Sequence, residues 1–581
     1  MQFARLCEAL ETAKGTSSRN AKVAAIAGAL SEASNAGTLE LRMAVRVSLG
    51  DLSRLGVGWR ALAGAIAARL GETTDVALVE ATRRLGDLGD AAEELIAKRN
   101  EEAHTEPLLL ADVAKLVDEL RSATSRARRA ALITAALTRS SALEVKFLVK
   151  ALSGELRIGA APGVVLLAIA KAFETSEPDV RRAHGLLADL AEVAVLAFEK
   201  RITEAAVKPG RPLAFMLATP IETVKTPIEW AKVVAEEKLD GVRAQIHVHG
   251  GGEVTIFARG LERVTESFPD VAVAMKHAKG ELVLDGEILA IQPDGRPRPF
   301  QALQMRLNRK NPDADLIALV PVAFVAFDVL VRGSESLVDK PWRERRAALE
   351  EIVKGLDGSI SVKEAATIDG PEALDAAFDR ARKAGNEGLV LKRTDAPYEA
   401  GKRGQSWLKV KKATATLDVV VTAAEQGHGG RAKVISDYTF AVWKDDKLVD
   451  VGKAYSGLTD AEIDTLSRHF VDTTIEQRGG WRRVRPEIIL EVGFDGIQRS
   501  DRHESGFALR FPRILKIRTD KTIDECDTLE TVEALFLAQI ASGHREEPIE
   551  APKPAPKGSK KKALSDNQLS LFGDHKSPKP K

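Results

Sequence analysis

Residues 236–243 read Glu236-Glu237-Lys238-Leu239-Asp240-Gly241-Val242-Arg243, and this octapeptide decides how the chain is read. Apolar residues precede it (Val233-Val234-Ala235), and the alternation Val242, Ala244, Ile246, Val248 follows it. That pattern predicts two strands. Asp240-Gly241 between them predicts a hairpin turn. Lys238 and Arg243 on either side of the turn have the layout of a nucleophile beside phosphate-binding charge. An exposed hairpin with charged decoration explains the same eight residues equally well, so the decision rests on the residues downstream.

Six further short motifs succeed it in order. They are Phe257-Ala258-Arg259-Gly260, Leu284-Asp285-Gly286-Glu287, Phe324-Val325-Ala326-Phe327-Asp328, Glu387-Gly388-Leu389-Val390-Leu391-Lys392, Trp407-Leu408-Lys409-Val410-Lys411 and Arg510-Phe511-Pro512-Arg513. In this order the chain resembles the ATP-dependent DNA ligases, of bacterial and archaeal type with an N-terminal helical DNA-binding domain. These belong to the lysine nucleotidyltransferase superfamily, with RNA ligases and mRNA capping enzymes. The resemblance spans about residues 1–545 and is strongest over 236–411 and around Arg510. It implies an enzyme that seals 5′-phosphate/3′-hydroxyl nicks in duplex DNA through a lysyl-AMP intermediate and a DNA-adenylate.

The residues support that chemistry in their own right. An attacking lysine amine must be unprotonated, whereas a free lysine has a pKa of about 10.4. Nearby cations penalise the ammonium form. Arg243, Lys409, Lys411 and a divalent metal would supply such a field. Side chains at i and i+2 of a strand share a face, so Lys409 and Lys411 project together while Leu408 and Val410 pack behind. Two lysines on one face repel unless an anion or a carboxylate joins them.

The resemblance implies Lys238 as the catalytic nucleophile and an ATP site of Glu236, Arg243, Arg259, Glu287, Phe327, Arg403, Lys409 and Lys411. Within it, Glu287 lies near the ribose and Glu387 helps hold the metal, with Glu287 as a second metal carboxylate. Phe327 stacks on adenine, although its apolar run alone reads as core. Arg259 follows a strand in a turn, and Arg403 is a loop arginine near the phosphates. Arg510 and Arg513 orient the leaving pyrophosphate, swinging over the site and then away, with 412–416 as hinge. Mg²⁺ or another divalent ion accompanies ATP, and one or two protein acids suffice for it.

Residues 1–205 read as helical; the stretch 111–120 carries apolar residues at helical spacing. The informative segment is Leu152-Ser153-Gly154-Glu155-Leu156-Arg157-Ile158-Gly159, between a helix ending near Ala151 and one starting near Pro162. It reads either as a glycine-capped junction or as a phosphate contact at a helix start. The family's helical DNA-binding domain carries the same pattern, which implies DNA contact through Arg157 and Gly159.

The expected architecture is multidomain. An all-α DNA-binding domain (1–205) precedes an α+β nucleotidyltransferase domain of two sheets (206–412). A β-barrel of the OB-fold type (413–545) follows, containing one helix near Asp460 to Phe470. A disordered basic tail (546–581), rich in Pro, Lys, Ala and Ser, ends the chain. Within that tail Gln568-Leu569-Ser570-Leu571-Phe572 looks like the peptide by which bacterial replication and repair enzymes dock on a sliding clamp; Gln568, Leu569, Leu571 and Phe572 would make the contact.

Composition sets bounds. A chain of 581 residues suits three or four domains, and 44% apolar residues suffice for their cores. Two cysteines, Cys7 and Cys526, form neither a disulfide scaffold nor a four-cysteine zinc site of the kind expected in NAD-dependent bacterial DNA ligases. The start of the chain lacks a signal-peptide pattern and no apolar run reaches membrane-spanning length, so a soluble, cytoplasmic protein with no membrane partner is expected; the resemblance adds the expectation of a monomer associated with the nucleoid. Net charge is only +1; eight lysines and two aspartates from 551 onward leave about −5 for the rest. Contact with nicked duplex DNA must therefore come from a basic face. An RNA ligase or capping-type nucleotidyltransferase shares the lysine chemistry, but the helical region and Arg510-Phe511-Pro512-Arg513 disfavour it. An intact Lys238, Glu387 and Lys409 disfavour a non-catalytic scaffold.

Overall fold

The computed structural model describes residues 1–52, 55–72, 75–99, 106–159, 162–298, 300–307, 309–356, 358–411, 415–427, 431 and 434–541. They form two compact units. One holds residues 1–207 and 211–215, the other 208–210 and everything described from Met216 onward. Among the described residues no helix is long and apolar enough to cross a membrane.

The first unit is helical. The helix Leu110–Ser122 buries Leu110, Val113, Ala114, Leu116, Val117 and Leu120, the face that its spacing predicts. The helix Ala142–Ser153 runs two residues beyond the expected end and closes on Gly154 in the left-handed conformation. The next helix begins at Pro162, as expected. Lys146 and Lys150, almost fully buried, pair with Glu11, Asp87 and Glu93 at 2.6–2.7 Å. These ion pairs tie three helices together.

In the second unit the region up to Val410 carries two sheets. The first has the order β1 (Leu217–Pro220), β11 (Arg403–Val410), β10 (Gly388–Arg393), β2 (Val233–Lys238), β9 (Ala366–Thr367). The second runs β4 (Val254–Ala258), β3 (Val242–Val248), β5 (Leu282–Ala290), β6 (Val322–Arg332), β7 (Glu335–Ser336), with β8 (Ile360–Val362) on β6. The hairpin expected at Asp240-Gly241 is therefore wrong. β2 and β3 belong to different sheets, and the turn carries the chain from one to the other. A turn dipeptide reports a reversal of direction, while sheet membership is set by which strands bury their apolar faces together. β2 packs with Leu389, Leu391, Leu408 and Phe378 through Ala235. β3 packs with Ile256, Leu284 and Phe324.

The strand carrying Phe327 is fixed from behind. Asp328 accepts two hydrogen bonds from the buried Arg345 guanidinium at 2.7 and 2.9 Å. Removing Arg345 alone would leave a buried carboxylate unpaired, a loss of about 3–5 kcal/mol.

The remaining region is strand-rich. β12 (Ala415–Gln426), β13 (Ile435–Lys444), β14 (Lys447–Ala454), β15 (Thr474–Arg478), β16 (Trp481–Val484), β17 (Ile489–Phe494) and β20 (Arg513–Ile517) form one sheet; β18 (Gly496–Arg499) and β19 (Phe507–Arg510) pair separately. The expected helix is present at Asp460–Asp472 and buries Ile463, Leu466 and Phe470. A second helix, Leu529–Ala541, was not foreseen; its Val532 and Phe536 join the same core. Of the expected hinge, 412–414 lie outside the described residues, while Ala415 and Thr416 open β12.

Candidate active site

Strand register brings the motifs together. β10 lies between β2 and β11, pairing Gly388 with Lys238 and Val390 with Lys409. The Glu387 amide donates to the Lys238 carbonyl at 2.8 Å, which sets the carboxylate beside the amine. Gly388 permits this closeness: its φ is +148°, and a Cβ there would sit 2.3 Å from the Val410 carbonyl oxygen.

Both sheets line one cavity of about 200 Å³. From the first sheet come Glu236, Lys238, Lys392, Arg403, Trp407 and Lys409; from the second, Arg243, Glu287 and Phe327, with Arg259 from the turn after β4. All but two of the residues expected to act on the nucleotide or metal thus meet at one place. The other two, Glu387 and Lys411, adjoin it through ion pairs. Lys238 Nζ lies 2.7 Å from Glu387 Oε2, and Lys411 pairs with the same oxygen. Burial pushes the Glu387 carboxyl up, but Lys238 and Lys411 overcome it and hold the group down to about 2. Glu387 thus joins Lys411 to Lys238, while Lys409, the other lysine on the Lys411 face, is not paired with it.

Two of the cations expected around Lys238 are themselves paired with carboxylates. Arg243 is committed to Asp285 at 2.7 and 3.1 Å, and Lys411 to Glu387 and Asp495. The effect of crowded cations is visible at Lys409, whose pKa is lowered by partial burial and then by Lys411, Arg403 and Lys238. Glu287 is the opposite of Glu387. Burial pushes its carboxyl up to about 8, against the pull of Lys238 and Arg243.

Phe327 is half-buried and lines the cavity, unlike the fully buried Phe324 and Val325 of the same strand. Its ring meets Trp407 edge-on at 5.8 Å. Arg403 is not in a loop: it opens β11, pairs in register with Leu217 and donates to the Ala218 carbonyl at 2.8 Å. Its isolation among glycines and polar residues hid the strand start.

Three contributors were not singled out as site residues from sequence. Lys392 is buried, pairs with Glu236 at 2.6 Å and places its amine 4.7 Å from the Phe327 ring centre and 4.6 Å from that of Trp407. Glu236 is held from its other side by Arg346 at 3.0 Å. Trp407 walls the cavity. Lys392 and Trp407 ended and opened recognised motifs, and a lysine that ends an apolar run was the available signal. Asp240 is the third. Burial raises its pKa, Arg510 and Glu387 pull it in opposite directions, and Arg510 reaches it at 3.3 Å.

Arg510 ends β19, whereas Arg513 opens β20 and is exposed. Asp495, whose amide donates to the Arg510 carbonyl, contacts Lys411 at 3.2 Å. Arg157 and Gly159 lie in the helical unit. The tail residues Gln568, Leu569, Leu571 and Phe572 fall outside the described residues.

Among the described residues no group of three or more His, Cys, Asp or Glu side chains forms a metal cage. A Mg²⁺-type ion sharing phosphate oxygens with its substrate would draw on the carboxylates of Glu287, which lines the cavity, and Glu387, which adjoins it.

A lysine paired with a glutamate, clustered cations and a half-buried ring beside one cavity between two sheets are the make-up of a nucleotidyltransferase-like domain. Residues 1–170 match the family described as DNA ligase N terminus, 215–411 the ATP dependent DNA ligase domain, and 431–521 the ATP dependent DNA ligase C terminal region. A probable DNA ligase of Koribacter versatilis is 41% identical over 82% of this chain and 86% of its own length. A DNA ligase of Methanopyrus kandleri is 37% identical over 92% and 99%. The solved structure described as Pmar-Lig_PreS3 shares the fold with a TM-score of 0.58 and 19% identity, over 88% of this chain and 99% of that one. The chain belongs to the ATP-dependent DNA ligases.

Proposed function

We propose that Lys238 is the residue that carries AMP in this DNA ligase. Its Nζ attacks the α-phosphorus of ATP, the bond to the β-phosphate oxygen breaks, and pyrophosphate leaves. AMP passes to the 5′-phosphate of a nick, and the 3′-hydroxyl then displaces it. The observation that carries this reading is the Lys238–Glu387 pair, 2.7 Å apart beside the cavity between the sheets. Glu387, kept ionised, aligns the amine. Lys409, Lys411 and Arg243 stabilise charge on the transferring phosphate. Phe327 and Trp407 bound the base, with Glu236 and Lys392 at its edge. Arg259, Arg403 and Glu287 contact sugar and phosphates. A divalent ion held through Glu387 and Glu287 would neutralise the leaving oxygens.

Arg510, at Asp240, stands where it can orient pyrophosphate, with Arg513 following. We place the domains at 1–205, 206–412 and 413–545, the last as an OB-type barrel, and the enzyme acts as a monomer on nicked duplex DNA. Arg157 and Gly159 contact its backbone. The basic tail from 546 engages a sliding clamp through Gln568, Leu569, Leu571 and Phe572. Gel assays of nicked DNA and nicked RNA with ATP or NAD test the reading. Sealing is expected with DNA and ATP; sealing that requires NAD, or RNA alone as substrate, would overturn it.

A further inference from the structure

The segment Gly154–Gly159 is held by a residue 136 positions away. Lys22 lies in the first turn of the helix Arg19–Ala36 and is buried, 9% exposed. Its ammonium donates to the Ile158 carbonyl at 2.6 Å and to the Ala13 carbonyl at 2.9 Å. Ala13 sits in the last turn of the helix Phe3–Lys14, where carbonyls lack helical partners. One buried cation therefore closes a helix end and grips the loop. A buried ammonium is costly unless its N–H donors are hydrogen-bonded, and two carbonyl oxygens accept from it here.

The loop needs such a grip because its backbone is unusual. Arg157 has φ +47°, an uncommon conformation for a residue with a side chain, and Gly154 and Gly159 are also left-handed. Leu156 and Ile158 point inward and are buried, so Glu155, Arg157 and Gly159 face out. Arg157 donates to the Gly86 carbonyl at 2.7 Å and pairs with Glu155. A Cβ on Gly159 would lie 2.9 Å from Lys22 Nζ, which explains why the last position is glycine on steric as well as conformational grounds.

We propose that Lys22 is a positioning residue for DNA contact: its hydrogen bond to Ile158 holds Arg157 in the left-handed conformation from which the guanidinium reaches a phosphate. This rests on the reading of Arg157 and Gly159 as DNA contacts. Lys22 touches no DNA itself and acts through the loop.

The test measures binding of the full chain to a nicked 5′-phosphorylated duplex without ATP, across a salt series, with lysyl-AMP formation as the control. Lys22→Met should lose about tenfold in affinity, the worth of one charge-assisted hydrogen bond. It should form lysyl-AMP normally and flatten the salt slope by about one unit, as is expected of Arg157→Ala. The double variant should bind no worse than either single one, because both remove the same contact. Lys22→Gln, which keeps N–H donors without the charge, should retain most of the affinity; it also serves should Lys22→Met fail to fold. Additive losses, or Lys22→Gln falling as far as Arg157→Ala, would overturn the proposal. An unaltered Arg157→Ala would instead sink the DNA-contact reading on which it rests.

Discussion

The nucleotide cavity and the Gly154–Gly159 loop both handle phosphate in this account, yet they are built in opposite ways. The cavity is made of side chains whose charges answer one another across paired strands: Glu387 against Lys238 and Lys411, Asp285 against Arg243, Glu236 against Lys392. The loop is made of backbone, with three left-handed residues and one buried ammonium on a carbonyl. A covalent step needs charged groups fixed to fractions of an ångström, which paired strands provide. Holding a DNA backbone needs a shaped edge and one reaching cation, which a clamped loop provides.

Lys238→Ala should break the comparison on one side only. Lysyl-AMP formation should vanish while nick binding persists, measured by label incorporation and by binding without ATP. Arg510→Ala with Arg513→Ala should slow adenylation by about 100-fold, the scale of one lost charge-stabilising donor. The double variant should seal a pre-adenylated nick far better than an ordinary one; equal losses on both substrates would place these arginines on DNA. Arg157→Ala should leave adenylation intact and weaken nick binding about tenfold, with the salt slope reduced by about one unit.

The smallest effect separates the two cavity carboxylates. The Glu287 carboxyl, pushed up to about 8, binds its proton more readily in the folded protein than in the unfolded chain, where a glutamate titrates at about 4.3. Between those values folded stability falls as pH rises, and below them Glu287 contributes nothing. Glu387, held down to about 2, stabilises the fold above about pH 4.3 and loses this contribution as pH falls toward 2. Glu287→Gln should therefore raise Tm by a few degrees at pH 8.5 and leave it unchanged at pH 4. Calorimetry of the nucleotide-free protein at both values checks this; an equal shift at both pH values contradicts it.

The same contrast governs what the sequence discloses. Apolar spacing located the helix Leu110–Ser122 and the alternation of Lys409 and Lys411 with Leu408 and Val410. Most charged cavity residues were legible through the ordered motifs that carry the family resemblance, Arg403 only as a residue of a polar, glycine-flanked stretch. Asp240-Gly241 misled because the chain reverses there between two sheets, and strand partnership depends on residues such as Phe324 and Phe378, far along the chain. Lys392 was quoted as the end of a motif, yet its place against Phe327 and Trp407 follows only from the register of β10 with β11. Lys22 carried no signal at all. It is one lysine at a helix start, and its partner Ile158 lies 136 residues away.

The most direct test of the central claim locates the AMP. The wild-type chain is incubated with ATP and a divalent ion, the modified lysine is mapped by peptide mass spectrometry, and the isolated adenylate is then offered a nicked duplex without further ATP. The account predicts AMP on Lys238 and its transfer to the 5′-phosphate with sealing of the nick. AMP on any other residue, or a Lys238 adenylate that a nick cannot discharge, would contradict it.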